Sequence, residues 1–384
     1  MPSNGNNLTA APGSRELEVS VFGPGFGECI LLHLGDGNWA VIDSCLDATS
    51  KQPAALQYLT GLGANPATSI QLVVATHWHD DHMDGISTVF QTATNSIFAC
   101  TGAVMQADFK EVLAAWTGTR FLAGGSGVDE LRNILTELRK RSTGSRHVVP
   151  KLAGVGRTLW PANGKSNSWG MSIKCLSPSD AAVLATISRL KGVAPAKSKV
   201  RRRLPRLLEN DTSVVLSVEV AGHRVLLGGD LHVKTDRSLG WLAIVDDHAG
   251  ADARHHAFKV PHHGSPTGYH DEVWSKMTVD QTCAVTTPFV GGSVRLPSVE
   301  DCERILSKTQ NAYLSAPPLP GKFRDPSKAV ERTVQEATRS VHFVPGKYGH
   351  VRLRKYLVET PSTPWRVELF GSAVRMADYV ATTS

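Results

Sequence analysis

The chain has 384 residues, of which 41% are hydrophobic and 20% charged, and a formal net charge of +6. That composition belongs to a folded globular protein and excludes a low-complexity or largely disordered chain. No apolar run reaches the length of about 18 residues that a membrane helix needs, so no spanning segment is expected.

Residues 1–15 are polar, lack the apolar core of a secretory signal and are expected to be a disordered lead-in. Glu16–Phe22 alternates as a first strand. A glycine-rich turn, GPGFGE, leads into CILLHL and NWAVIDSC, two strands joined by Gly35, Asp36 and Gly37 as a hairpin. Residues 53–62 fit a short helix. IQLVVAT at 70–76 is a continuous β-branched run, the pattern of a buried strand, and it runs into HWHDDHMDG. Residues 86–143 read as mainly helical, with helices expected at 103–116 and 128–141 around Gly124–Gly127. MSIKCLSP at 171–178 reads as a strand and 179–192 as a short helix. A basic segment, 197–210, follows. VVLSVEV and RVLLGGD form a second hairpin within 214–230, AFKVP at 257–261 is a strand that ends in HHG, and CAVTTP at 283–288 is another. VRLRKYL and WRVELFG, at 351–357 and 365–371, form a third hairpin. With no low-complexity linker, 16–290 is expected to be one domain with a helical insertion at about 95–170. Residues 291–384 are then an extension that completes or flanks it.

Histidine is concentrated. The sequence His77-Trp78-His79-Asp80-Asp81-His82 places three histidines and two aspartates in six residues at the end of a buried strand. Packing does not call for such a cluster; a transition-metal site does, because it needs imidazoles and carboxylates converging on a point. The spacing offers His77 and His79 to one ion and Asp81 and His82 to a second, about 4 Å away.

THWHDDHMDG resembles the HxHxDH signature of the metallo-β-lactamase superfamily. The resemblance implies an α/β fold, a four-layer αββα sandwich, here with a helical insertion and an extra C-terminal hairpin. It also implies further residues at strand ends. Asp43, closing WAVID, matches the aspartate that orients a ligand histidine from behind. Asp230, closing RVLLGGD, matches the aspartate that bridges two ions. His262 or His263, after AFKVP, matches the last histidine, with His262 preferred as ligand and His263 as a group that orients or donates a proton. The histidine that many members carry in a GH turn before Asp230 is missing; His147, Asp180 and Asp211 are the alternatives.

GFGECILLHLGDG, NDTSVVLSVEV, VLLGGD and KVPHHGSPTG together resemble the metallo-β-lactamase-like domain of bacterial DNA-uptake competence proteins and their soluble relatives. Glu28 stands where that group usually has aspartate. The resemblance implies a phosphodiesterase or nuclease using two divalent ions, zinc by default with manganese or iron as alternatives, and a water that loses its proton near neutral pH. Asp81 is the expected orienting residue for that water, and His263 or His270 the proton donor to the leaving oxygen. Lys197, Lys199, Arg201, Arg202, Arg203 and Arg206 offer charge to phosphates, and Ser265 and Thr267 contact a phosphate or cap a helix. Two other readings stand beside this one: a hydrolase of small esters such as lactones or thioesters, and a weak-metal module that binds a protein partner. Nucleic acid is the expected macromolecular partner and no membrane is. Six cysteines, none in a CxxC pair, are expected as free thiols in a reducing, cytoplasmic setting.

Overall fold

The computed structural model describes residues 8–23, 27–47, 50–105, 127–143, 147–161, 169–191, 209–248, 254–291, 293–318 and 349–383. Most of the helix expected at 103–116 and the whole basic run 197–206 lie outside these residues.

Two eight-stranded sheets form the centre. The first contains β1 (Glu16–Phe22), β2 (Cys29–Gly35), β3 (Asn38–Ile42), β4 (Ile70–Ala75), β5 (Ile97–Thr101) and β6 (Lys151–Ala153). The second contains β7 (Thr158–Trp160), β8 (Ser172–Cys175), β9 (Leu216–Val220), β10 (His223–Leu227), β11 (His255–Lys259) and β12 (Thr278–Thr286). A small separate hairpin, β13 (Phe289–Gly291) and β14 (Val294–Leu296), follows. The C-terminal part returns to both sheets: β15 (Ala312–Leu314) and β18 (Val374–Arg375) join the second, while β16 (Gly349–Tyr356) and β17 (Arg366–Gly371) join the first. The orders are β17-β16-β1-β2-β3-β4-β5-β6 and β18-β15-β12-β11-β10-β9-β8-β7.

One apolar core, including Val19, Ile30, Val74, Leu216, Val225 and Val285, lies between the sheets. Two others cover their outer faces. The outer face of the first sheet packs on α1 (Ala54–Gly61), α4 (Ile86–Thr92) and α5 (Gly127–Arg141); the short α2 (Pro66–Ser69) and α3 (Asp80–Met83) flank β4. The second sheet packs on α7 (Gly240–His248), α8 (Asp271–Met277), α9 (Val299–Leu306) and α10 (Met376–Thr383), while α6 (Asp180–Lys191) follows β8. The result is the expected four-layer αββα sandwich.

Local chemistry explains much of this. β4 is buried along its whole length because β3 and β5 pair with it in parallel and helices cover it. The β9–β10 hairpin turns through Ala221 and Gly222, both with positive φ (49° and 79°), the backbone of a two-residue type I′ turn. Ser298 and Asp301 close a capping box on α9.

Two expectations need correction. The stretch 95–170 is not a purely helical insertion: it supplies β5 and β6 to one sheet and β7 to the other, besides α5. IFACT is five residues long and wholly apolar apart from its end, and such a run has no periodicity that separates strand from helix. Residues 8–15 are not loose either, since Arg352 and Arg354 on β16 donate to the carbonyls of Leu8 and Ala10.

β3 and β4 run parallel to each other, as do β10, β11 and β12. Their C-terminal ends deliver Asp43, His77, Asp230, His262 and Thr287. The two sheets meet there through a hydrogen bond from the Val214 amide to the Thr76 carbonyl, 3.0 Å. Among the described residues no helix is long and apolar enough to cross a membrane.

Candidate metal centre

The strand β4 ends at Ala75, and the chain then turns through Thr76–His79 into the short helix α3, which carries Asp81 and His82. His77 and His79 converge as their spacing suggests, with His77 Nε2 3.2 Å from His79 Nδ1. Asp43, at the end of β3, has a left-handed backbone (φ 57°), a conformation that aspartate tolerates better than most residues. Its Oδ1 accepts from the Thr76 amide at 2.7 Å, and its Oδ2 accepts from the Thr76 hydroxyl at 2.6 Å and from His82 Nδ1 at 2.8 Å.

Three imidazoles are oriented by such partners. His82 Nδ1 can only donate to the Asp43 carboxylate. His263 Nδ1 donates to the Thr287 carbonyl at 3.1 Å. His77 Nδ1 donates to the Thr76 hydroxyl at 2.9 Å, because that hydroxyl already gives its proton to Asp43. A neutral ring that donates through Nδ1 presents a lone pair at Nε2. All three Nε2 atoms face one oxygen, Asp230 Oδ2, at 3.3 Å from His82, 3.4 Å from His263 and 3.9 Å from His77. Asp81 Oδ2 lies 3.1 Å from His263 Nε2 and 3.6 Å from His82 Nε2.

Two ligand sets result, sharing Asp230. One is Asp81, His82, Asp230 and His263; the other is His77, His79 and Asp230. Within each, the donor atoms lie no more than 4.8 Å apart. Two bonds of about 2.1 Å to a common ion span about 4.2 Å, so a slight contraction closes each set around one ion. The residues fit divalent metal ions: His82 Nε2, which faces the cluster, is buried without a hydrogen-bond partner, and imidazole with carboxylate suits zinc, manganese or iron.

Electrostatics agrees. Burial disfavours protonation of His82, but the carboxylates of Asp230, Asp81 and Asp43 outweigh it and hold its pKa well above the usual range. Burial opposes protonation of His263 as well, yet Asp230 and Asp81 raise its pKa to about 9. His77 is pushed the other way, well below its ordinary value, by burial and then by His82 and His79. Burial alone would raise Asp230, but His82 and His263 bring it well below the usual carboxylate range. The metal-free cluster thus holds protons where cations fit.

The histidine pair after β11 is arranged differently from expectation. It is His263, not His262, whose Nε2 enters the cluster. Both residues have positive φ, 47° and 54°, so the chain coils tightly after Pro261 and the second ring turns inward. His262 sits beside the cluster instead, with Nδ1 2.6 Å from the Thr267 hydroxyl and its ring 4.6 Å from that of His232. His232 was missed by sequence reasoning, although its place two residues after Asp230 was a usable signal. Asn210 Nδ2 lies 3.0 Å from His232 Nε2 and 3.3 Å from His262 Nε2.

None of the three alternatives for the missing histidine joins either ligand set. His147 and Asp180 are exposed, the latter starting α6. Asp211 pairs with Lys234 and Arg189. His270 caps α8 by accepting from the Glu272 amide at 3.2 Å, and Ser265 accepts from the Thr267 amide at 3.3 Å, so both have local structural roles. Ser213, from the NDTS turn, accepts from the Asp230 amide at 2.9 Å and fixes the start of that residue.

No family model matches the chain, and no curated protein matches it. Solved structures do. The metallo-β-lactamase fold protein YhfI from Bacillus subtilis is 10% identical with a TM-score of 0.34, over 77% of this chain and 95% of its own. A Cronobacter sakazakii metallo-β-lactamase with a HARLDQ motif is 14% identical with a TM-score of 0.31, over 62% of this chain and 76% of its own. Zn(2+)-bound PqqB from Methylobacterium extorquens is 14% identical with a TM-score of 0.28, over 61% and 56% respectively. The four-layer αββα sandwich is read from this chain's own strand order and helix packing.

Proposed function

We propose that the chain is a metal-dependent hydrolase that cleaves phosphodiester bonds, with two divalent ions, zinc by default. One observation carries the metal reading: three histidine Nε2 atoms and Asp81 are gathered around Asp230 Oδ2 in a buried cluster. Bound there, the ions would supply Lewis acidity and a water acidified to near neutral pKa. The chain's own residues then divide the work. Asp81 Oδ2 orients the attacking water, while Asp43, Thr76 and Thr287 keep the rings of His82, His77 and His263 turned inward. His232 and His262 stand side by side next to the cluster, both within reach of Asn210.

The phosphodiester substrate is supported by the resemblance of four sequence segments to the competence-protein type and by the net charge of +6. All six cysteines are free and buried, which supports a reducing, cytoplasmic setting. The test is elemental analysis of the purified protein together with hydrolysis of bis-p-nitrophenyl phosphate. The expected result is up to two ions per chain and turnover that Asp81→Ala abolishes while the protein stays folded. Turnover of a lactone or thioester with none of the phosphodiester would replace the substrate class. Protein that takes up no ion from excess zinc or manganese would remove the hydrolase reading altogether.

A further inference from the structure

Behind the cluster lies a buried ion pair that the chemistry above does not use. Glu28 and Lys259 are both almost completely buried, and Lys259 Nζ is 2.6 Å from Glu28 Oε2. Burying two charges is costly even when they pair, and an apolar pair of similar size usually serves stability as well. The location suggests another reason. Lys259 Nζ lies 3.8 Å from Asp230 Oδ1, the oxygen turned away from the histidines, and donates to the Gly229 carbonyl at 3.2 Å. The Thr287 hydroxyl donates to Glu28 Oε2, and the Thr287 carbonyl receives the His263 Nδ1 proton. The Glu28 amide donates to the Asp81 carbonyl at 2.8 Å. That approach is possible because Gly27 precedes it with φ 97°, where a Cβ would stand 2.6 Å from Cys45 Cβ.

We propose that Glu28, with Lys259, is the positioning residue of the metal centre: it fixes Asp81, Asp230 and His263 relative to one another, leaving Asp230 Oδ2 turned toward the histidine Nε2 atoms. These three residues come from three distant parts of the chain, and Glu28 touches or connects to each. Neither Glu28 nor Lys259 meets substrate. The inference rests on the metal reading above, and concerns only how the ligand set is held.

The experiment is chelator competition with zinc on the full chain, comparing wild type with Glu28→Gln/Lys259→Met, which removes both charges together. Arg354→Met is the control; it breaks another buried ion pair, to Glu18, on the outer face of the first sheet. The double variant is expected to unfold cooperatively and to bind zinc about 10- to 100-fold more weakly, as loss of outer-shell support does elsewhere. The control is expected to lose stability and keep wild-type affinity. Equal affinity in the double variant and wild type overturns the positioning role. A wild type that binds no zinc overturns the metal reading, and this proposal with it. Should the double variant not fold, Thr287→Val removes one hydroxyl from the same set of contacts; a drop of about tenfold supports the proposal, and no change overturns it.

Discussion

His263 Nε2 and Asp81 Oδ2 stand 3.1 Å apart although 182 residues separate them, one after a strand of the second sheet and the other after a strand of the first. The contact joins the two sheets at the metal centre. It also divides the roles of two adjacent histidines. His263→Ala is expected to lower bound metal by about one ion per chain, since it removes a donor from the set with Asp81, His82 and Asp230. His262→Ala is expected to leave that ion in place, because its ring faces Thr267 and His232. Elemental analysis after gel filtration distinguishes them; the reverse pattern would restore His262 as the ligand.

Metal uptake should strengthen as pH rises from 6 to 9. In the metal-free protein the neighbouring carboxylates raise His263 to about 9 and hold His82 well above its ordinary value. Each imidazole must lose its proton before Nε2 can bind an ion, so protons and metal compete. Below these pKa values, each displaced proton makes apparent affinity rise about tenfold per pH unit. Titration in two buffers of different ionisation heat would count the protons released. Uptake without proton release would contradict the arrangement.

Asp43→Ala should weaken metal binding by about 10- to 100-fold without removing a ligand. Asp43 holds His82 at 2.8 Å and, through the Thr76 hydroxyl, the His77 ring as well. Asp43→Asn tolerates the left-handed backbone and can present its carbonyl oxygen to His82, so its loss should be smaller. Chelator competition on both variants checks the order; equal losses would mean that charge alone, not orientation, matters at this position.

Much of this centre was legible in the sequence because strand tips carry short, polar, chemically specific runs. HWHDDH, Asp43 and Asp230 each follow a largely buried, mostly apolar strand whose burial fixes where the chain turns. The choice between His262 and His263 was not legible, since it depends on two successive left-handed residues and neither is glycine. Glu28 gave a hint through its GE turn, but its partner Lys259 looked like an ordinary residue of AFKVP. A buried lysine is known only from what surrounds it. The same holds for β5 and β6, whose strand character comes from pairing with β4 and with each other rather than from their own pattern.

His255, at the start of β11 in the second sheet, is buried and neutral: its Nδ1 donates to the Met277 carbonyl at 2.8 Å, and its Nε2 accepts from the Ser217 hydroxyl at 2.9 Å. Burial, the largest influence, lowers its pKa from 6.5 to about 4. Between these values the unfolded chain holds the proton and the folded chain does not, so proton binding favours unfolding. The contribution is intact above pH 6.5, falls as pH drops toward 4, and amounts to on the order of 3 kcal/mol across the window. His256, lowered to about 4 by burial and then by Lys355, acts in the same direction. Urea unfolding of wild type and His255→Gln at pH 7, 6, 5 and 4.5 checks this. The variant should start less stable at pH 7, having lost a fitted ring, and then lose less on acidification, corresponding to about one proton. Parallel profiles for the two proteins would show that His255 titrates alike in the folded and unfolded chains, and that its burial does not govern the acid sensitivity of this sheet.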